Sequence, residues 1–147
     1  MGNVDIQGLV LTPLKIIPNQ KGDILHGIKK SDPSFKKFSE AYFSCVNYNK
    51  VKGWNKHLKM TLNLIVIDGS IKFVIYDNRI SSHTKNKFFV TELSLKKYFR
   101  LTIPPGLWVA FKGTSKSRNL LLNISDFEHD QNEIIKRDLD TIPYTWD

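Results

Sequence analysis

The sequence predicts an all-β domain, either a sandwich or a barrel, and three observations support this. Short runs rich in Val, Ile, Leu, Phe and Tyr recur along the chain. Gly, Pro, Asn, Asp or Ser separates one run from the next, and few segments have helical spacing. The chain of 147 residues is 41% hydrophobic, and no repeat or linker divides it. We therefore expect a single domain over residues 1–147 with one core.

Nine segments are predicted as strands, because they are rich in β-branched and aromatic residues and are bounded by turn-forming residues. In chain order they are residues 8–13, 22–28, 40–48, 59–67, 70–76, 87–93, 98–103, 107–112 and 118–125. Asp68 and Gly69 lie between two of these runs and predict a tight hairpin, because glycine supplies the positive φ that the turn needs. Only residues 32–38 and 130–136 are predicted as helices, and both are short.

The formal net charge of +8 implies an anionic partner, such as nucleic acid, a membrane surface or a phosphorylated small molecule. The lysines are spread along the chain in ones and twos, without a long basic run, a recognition helix or a zinc finger. This distribution argues against nucleic acid as the partner. A solvated, lysine-rich surface is the alternative explanation for the charge.

The cysteine count and the hydropathy of the sequence bear on where the protein is located and on which cysteine chemistry it can use. Cys45 is the single cysteine, so neither an intramolecular disulfide nor a cysteine metal cluster can form. Its neighbours Phe43 and Val46 predict a buried thiol in a strand. The N-terminus lacks a basic region followed by a long apolar one, and no apolar run approaches membrane-spanning length. We expect a cytoplasmic protein without membrane insertion.

His57 is the most informative residue, because it lies in a basic, tryptophan-containing segment directly before two apolar runs. Imidazole changes its charge near neutral pH, so a histidine at the mouth of a β-barrel is a candidate proton-transfer group. An exposed polar residue on a loop is the alternative interpretation. We favour proton transfer.

Two segments resemble the motifs of metal-binding cupins, which carry His-x-His with Glu in the first and Pro-x-Gly-x-x-His in the second. The first aligns at residues 55–69 and the second at residues 104–109. Of the four ligand positions, only the one at His57 carries a metal-binding side chain. The other three positions hold Asn55, Leu62 and Val109. One imidazole cannot complete a stable coordination shell, so we expect no metal and no cofactor.

Several segments, in order and with similar spacing, resemble the metal-free branch of this superfamily, the 3,5-epimerases of nucleotide-activated 4-keto-6-deoxy sugars. These segments are residues 6–13, 21–23, 42–47, 51–57, 103–111, 123–126, 137–138 and 142–146. Residues 52–57 are similar to the family's Arg-Gly-Leu-His, and residues 103–111 to its Ile-Pro-x-Gly-Phe-x-His-Gly-Phe. The resemblance implies a cupin-type jelly-roll β-barrel with one or two short helices.

Epimerisation next to a ketone requires a base, stabilisation of the enolate, and an acid that returns the proton. The resemblance implies that His57 is the base and that Asp138 is the carboxylate bonded to it. The family's acid is a tyrosine in Thr-Asp-Tyr-Tyr, whereas residues 125–128 here are Ser-Asp-Phe-Glu. The candidates for the acid are Glu128, His129, or a tyrosine elsewhere, Tyr48 or Tyr76.

The predicted substrate-binding residues fall in or near the same motifs. Lys52 and Lys21 correspond to basic positions of the family, and Asn47 lies in the segment that resembles its Gln-x-Asn. Trp54 is predicted to stack on a nucleobase or a sugar, whereas core packing is the expectation for Trp108. The remaining candidates beside the first barrel strands are Lys59, Lys72 and Asn63, of which Asn63 either lines the cavity or faces solvent.

The resemblance implies a cofactor-independent epimerase that acts at C3, C5 or both, through an enolate, in the biosynthesis of sugars for cell-surface polysaccharides. Its partner is a nucleotide-activated 4-keto sugar, and the protein is expected to be a homodimer. One alternative is a barrel that binds a sugar nucleotide or carbohydrate without catalysis. Another is a sugar 3,4-ketoisomerase, which Asn55 disfavours because that family has His-x-His there. A nucleic-acid-binding barrel ranks last.

Overall fold

The computed structural model of the protein describes residues 5–147, and most of its regular structure is β-strand. The strands in this range are β1 (Val10–Pro13), β2 (Ile16–Ile17), β3 (Ile24–Leu25), β4 (Glu40–Cys45), β5 (Val51–His57), β6 (Leu62–Asp68), β7 (Ser70–Tyr76), β8 (Phe88–Ser94), β9 (Phe99–Ile103), β10 (Trp108–Gly113), β11 (Leu120–Ser125) and β12 (Ile134–Lys136). Two single-turn 3-10 helices, Gln131–Glu133 and Leu139–Thr141, lie near the C-terminus. Neither they nor any other described helix is long and apolar enough to cross a membrane.

The strands form two five-stranded antiparallel sheets and a small separate hairpin. The first sheet has the order β1-β9-β6-β11-β4, the second has the order β12-β5-β10-β7-β8, and β2 pairs with β3. From β4 to β12 the chain passes repeatedly from one sheet to the other, as in a jelly roll. The predicted all-β jelly-roll barrel is therefore confirmed.

The main core lies between the two sheets. Strands β6 and β7 supply much of it, because their near-continuous apolar sequences LNLIVID and SIKFVIY suit strands that are covered on both sides. Phe73, Ile75 and Leu101 are fully buried there. Each such side chain contributes about 1.5–3 kcal/mol relative to an exposed one.

Both outer sheet faces are partly covered by irregular segments. Residues 26–35 cover the first sheet, where the buried Arg100 donates hydrogen bonds to the Gly27 carbonyl (2.6 Å) and to Ser34 Oγ (2.8 Å). The C-terminal tail covers the second sheet and forms an aromatic and aliphatic cluster with it. The buried members of this cluster are Trp54, Val74, Trp108, Ala110 and Ile142.

The predicted hairpin at Asp68-Gly69 is wrong, because the turn is a corner between the two sheets. β6 pairs with β9 and β11 in the first sheet, whereas β7 pairs with β8 and β10 in the second. Glycine is still required there: Gly69 has φ +70°, and a Cβ atom would lie 2.3 Å from the Arg118 carbonyl oxygen. The Asp-Gly pair indicated a tight turn correctly, but it did not specify which strands pair.

All nine predicted strands overlap observed strands, and β7 has the predicted bounds. Three strands were missed: β2 and β12, which are short, and β5. β5 reads VKGWNKH, which lacks apolar alternation because polar side chains of one face line a cavity rather than the core.

The two predicted helices differ from the structure. Residues 32–38 form a turn, in which Phe35 N donates to the Asp32 carbonyl (3.0 Å), without a regular helix. Residues 130–136 form a single 3-10 turn followed by β12, because pairing with β5 extends the chain from Ile134 onward. Cys45 lies in a strand as predicted, but its side chain is exposed, because it points to the outer face of the edge strand β4.

Candidate active site

A cavity of about 180 Å³ opens between the two sheets, next to the edge strand β4 of the first sheet and β5 of the second. Its floor is apolar and consists of Leu62, Leu64, Val109, Phe111 and Leu121. Its polar side chains come from the two strands at the opening. They are Tyr42 and Ser44 from β4, and Lys52, Asn55 and His57 from β5.

A β-bulge in β5 brings Lys52, Asn55 and His57 to the cavity side. Asn55 pairs with Val109 and Lys52 with Phe111, so Gly53 and Trp54 together lie opposite the single residue Ala110. Gly53 has φ +143°, and a Cβ atom there would lie 2.5 Å from the Ala110 Cβ. Glycine is therefore required for the bulge.

His57 forms a hydrogen-bonded pair with Glu133, through Nδ1 and Oε1. Glu133 Oε2 accepts two further hydrogen bonds, from the backbone N–H groups of Lys59 and Met60 (3.1 Å each). Burial raises the pKa of the Glu133 carboxyl, but the His57 and backbone hydrogen bonds lower it more, so the net shift is downward. An ionised carboxylate can only accept, so His57 Nδ1 carries a proton and Nε2 is the nitrogen left to act as a base.

The carboxylate that holds His57 is thus Glu133 and not the predicted Asp138. β12 runs antiparallel to β5 with Ile134 opposite His57, which places Glu133 beside the imidazole. Farther along, Arg137 exchanges backbone hydrogen bonds with Trp54, so the next residue, Asp138, lies near the other end of β5. Asp138 is exposed at the start of the second 3-10 turn and makes no side-chain cap there.

The β4 side of the cavity carries a hydroxyl pair that the sequence did not single out. Tyr42 Oη accepts a hydrogen bond from Asn123 Nδ2 (3.2 Å), and Ser44 Oγ accepts one from Lys52 Nζ (3.1 Å). Residues two apart in a strand share a face, so the Tyr-x-Ser spacing was the available signal for this pair. The sequence alone does not show which face of β4 lines the cavity, because that depends on how the two sheets pack.

Three predicted substrate-binding residues are placed away from the cavity. Trp54 is 0% exposed and donates its indole N–H to the Leu139 carbonyl (3.2 Å), because the bulge turns it toward the C-terminal tail. Asn63 is buried on the opposite face of β6, where its Oδ1 accepts from Thr102 Oγ1 (2.6 Å). Lys72 lies over the ring of Tyr144, 5.2 Å from its centroid. The structure corrects all three positions.

Other predicted site residues are exposed and do not line this cavity. They are Lys21 and Asn47, Lys59, and the two candidate acids Glu128 and His129. Lys21 lies in the turn between β2 and β3, remote from β5 in the topology. His57 and Lys52 are the two predicted residues that do line the cavity.

The cavity combines the groups that proton transfer at carbon requires. His57 has a fixed tautomer and an ionised partner, Tyr42 and Ser44 carry hydroxyl groups, and Lys52 supplies a cation at the opening. The apolar floor lowers the local dielectric and strengthens each of these electrostatic interactions. The arrangement suits removal of an acidic C–H proton from a polar, anionic small molecule.

No family model and no curated protein matches the chain, but solved structures do. A dTDP sugar isomerase from Desulfovibrio desulfuricans G20 matches with a TM-score of 0.95 and 34% identity, over 99% of this chain and 95% of that one. A 3'-monoepimerase from Streptomyces bikiniensis, a double mutant in complex with dTDP, has a TM-score of 0.88 and 13% identity, over 100% and 78%. A dTDP-6-deoxy-D-glucose-3,5-epimerase from Legionella pneumophila, in complex with dTDP-4-keto-L-rhamnose, has a TM-score of 0.86 and 16% identity, over 98% and 81%.

The two more distant structures establish the shared fold. The Desulfovibrio protein adds a relationship in sequence over almost the whole length of both chains. This chain therefore belongs to the family of dTDP-sugar isomerases, and it shares its fold with the more distant epimerases.

Proposed function

We propose that the protein epimerises a dTDP-linked 4-keto-6-deoxy sugar at a carbon next to the ketone, without a cofactor. The observation that carries the proposal is the His57–Glu133 pair at the wall of a largely apolar cavity. A proton on such a carbon is acidic because the ketone stabilises the resulting enolate. An imidazole with one nitrogen held by a carboxylate is a suitable base at neutral pH.

In the proposed reaction, His57 Nε2 removes the proton and the electron pair of the C–H bond moves into an enolate. The ionised Glu133 stabilises the imidazolium that forms. Its two backbone hydrogen bonds keep it in place, so little reorganisation accompanies the step. Returning a proton to the opposite face of the carbon inverts its configuration.

The cavity volume favours entry of the sugar alone. About 180 Å³ is smaller than the 300–1,000 Å³ typical of pockets that enclose a drug-sized ligand. We infer that the sugar occupies the cavity and that the diphosphate and nucleoside lie at its opening. Lys52, held there by Ser44, is placed to contact a phosphate. The net charge of +8 favours approach of an anionic substrate.

We propose further that the protein works as a homodimer in the cytoplasm, in the synthesis of sugars for cell-surface polysaccharides. β4 is an edge strand with an exposed aromatic, Phe43 (61%), on its outer face, and such edges tend to pair with another chain. Light scattering should give twice the chain mass for the wild type and a smaller mass for Phe43→Lys. A monomeric wild type would contradict the dimer.

The proposed reaction is tested by proton NMR in deuterated water with freshly generated dTDP-4-keto-6-deoxyglucose. The wild type should exchange H3, H5 or both for deuterium, and the signal that disappears identifies the carbon. His57→Asn should slow this exchange about 100- to 10,000-fold. Transfer of the ketone to C3 would show a 3,4-ketoisomerase instead. Binding without any exchange would show a barrel that only binds the sugar nucleotide.

A further inference from the structure

Inversion at carbon needs an acid on the face of the sugar opposite His57. The segment in which the family carries its tyrosine has Phe127 at that position here. The two candidates that follow it, Glu128 and His129, are exposed and are not among the residues that line the cavity. We propose that Tyr42 is the acid that returns the proton. This inference rests on the proposed epimerase function.

Tyr42 lies on the side of the cavity that the reaction requires. It belongs to β4 at the edge of the first sheet, whereas His57 belongs to β5 in the second sheet. Both side chains line the same small cavity between these sheets. A sugar ring held there has the imidazole on one side and the phenol on the other.

A buried amide fixes the hydrogen bonding of the phenol. Asn123 Oδ1 accepts a hydrogen bond from the backbone N–H of Asn63 (3.2 Å), which can only donate. The amide therefore presents its Nδ2 to Tyr42, where it donates to Oη (3.2 Å). Because Oη is the acceptor in this contact, its own proton is free to point into the cavity. The same N–H stabilises the phenolate that remains after proton transfer.

The other polar residues of the cavity wall are less suited to this step. Ser44 carries an alcohol, a much weaker acid than a phenol, and its oxygen already accepts from Lys52. Asn55 has an amide, which does not titrate in the accessible range. Lys52 is a cation held at the opening, where an anionic phosphate is its natural partner. Tyr42 is the side chain in this wall that combines acidity with a stabilised conjugate base.

The step balances without a co-reactant. His57 takes the proton from carbon and leaves the enolate. The Tyr42 O–H bond then breaks as its proton bonds to the opposite face of that carbon, and the enolate returns to a ketone. Tyr42 is about 41% exposed, so water can reprotonate the phenolate. The imidazolium loses its proton to water, and the enzyme is restored.

The test separates proton removal from proton return, with Tyr42→Phe and dTDP-4-keto-6-deoxyglucose in deuterated water. His57 can return deuterium to the face from which it took the proton, so isotope exchange should remain within about threefold of wild type. Formation of the inverted sugar should fall about 100- to 10,000-fold. Tyr144→Phe is the matched control, because Tyr144 lies in the C-terminal aromatic cluster and does not line the cavity, and this variant should retain both activities.

Three outcomes would overturn the assignment. If Tyr42→Phe loses exchange and inversion in parallel, with KM raised, the phenol binds the sugar rather than protonating it. If Tyr42→Phe inverts at the wild-type rate, the acid is another group. If the wild type itself exchanges nothing, the proposed function fails first, and the assignment fails with it. Circular dichroism of Tyr42→Phe shows that a loss of inversion is not a loss of folding.

Discussion

In the proposed reaction Glu133 acts only through His57, and its two oxygens have different partners. Oε1 bonds the imidazole, and Oε2 accepts from two backbone N–H groups. In Glu133→Gln, the amide N–H2 group faces either the backbone N–H donors or His57 Nδ1. In the second case Nδ1 must accept, so the imidazole proton lies on Nε2 and that nitrogen can no longer act as a base. The neutral amide also cannot stabilise the imidazolium. We expect kcat to fall about 100- to 10,000-fold, with a smaller change in KM.

Steady-state kinetics followed by NMR measure this change, and Asp138→Asn is its control. Asp138 is an exposed carboxylate of the same C-terminal segment, and its loss should leave kcat within about twofold. If Asp138→Asn were as damaging as Glu133→Gln, the pairing of His57 with Glu133 would not be the catalytic one.

The candidate site could be predicted from the sequence only where the relevant residues are close together in the chain. His57 and Lys52 were identified because both lie in one short segment, residues 52–57, that resembles the family's Arg-Gly-Leu-His. Glu133 is 76 residues from His57, and its role depends on the register between β12 and β5. Local sequence does not encode that register.

At the scale of the strand, the bulge in β5 can be tested with two glycines of similar φ. Gly53 and Gly22 have φ values of +143° and +134°, so alanine is strained at either position. At Gly53 a Cβ atom would also lie 2.5 Å from the Ala110 Cβ, whereas at Gly22 nothing lies within 4 Å. We expect Gly53→Ala to cost about 2 kcal/mol more than Gly22→Ala, which corresponds to a Tm lower by about 4–8 °C.

Differential scanning calorimetry of the two variants gives this comparison. The proton-exchange rate should also fall in Gly53→Ala alone, because flattening the bulge turns Lys52 and His57 away from their present positions. Equal Tm values for both variants would mean that backbone strain, rather than the contact with Ala110, makes glycine necessary.

The prediction of strands was accurate where burial in the core determines the sequence of the strand. It failed where strand pairing, or residues that line the cavity, determine the structure. β7 was predicted with its observed bounds, because its apolar sequence lies in the core. β5 was missed, because its polar residues face the cavity. The Asp68-Gly69 turn was recognised, but it is a corner rather than a hairpin, because β6 pairs with β9 and β11 whereas β7 pairs with β8 and β10. A turn motif specifies the local backbone conformation, but it does not specify the sheets to which the flanking strands belong.

At the scale of the whole molecule, a buried carboxylate joins segments that are distant in the chain. Asp77 is 0% exposed and accepts hydrogen bonds from Arg79, from Ser82 Oγ and from Thr84 Oγ1 (2.7 Å). Arg79 in turn donates to the Gln7 carbonyl (2.6 Å). The N-terminal segment is thereby joined to the loop between β7 and β8.

This cluster predicts how stability depends on pH. Burial raises the pKa of Asp77, but the hydrogen bonds from Arg79, Ser82 and Thr84 lower it more, so the net pKa lies well below its usual range. A carboxyl with a lower pKa in the folded state stabilises the protein above its unfolded pKa of about 3.9, and this contribution is lost as the pH falls further. Asp77→Asn should therefore cost about 2 kcal/mol at pH 7 and less at pH 3.

Urea unfolding of the wild type and Asp77→Asn at pH 7 and pH 3 measures the difference, which should shrink at the lower pH. Asp68→Asn is the control, because Asp68 pairs with Arg118 at a largely exposed site and such pairs contribute about 0–1 kcal/mol. A destabilisation by Asp77→Asn that stays constant with pH would mean that the shape of the side chain, rather than its charge, stabilises the cluster. If the destabilisation does depend on pH, the charge of Asp77 holds the loop after β7 in place. The N-terminal segment, which is bonded to that loop, then depends on the same ionisation.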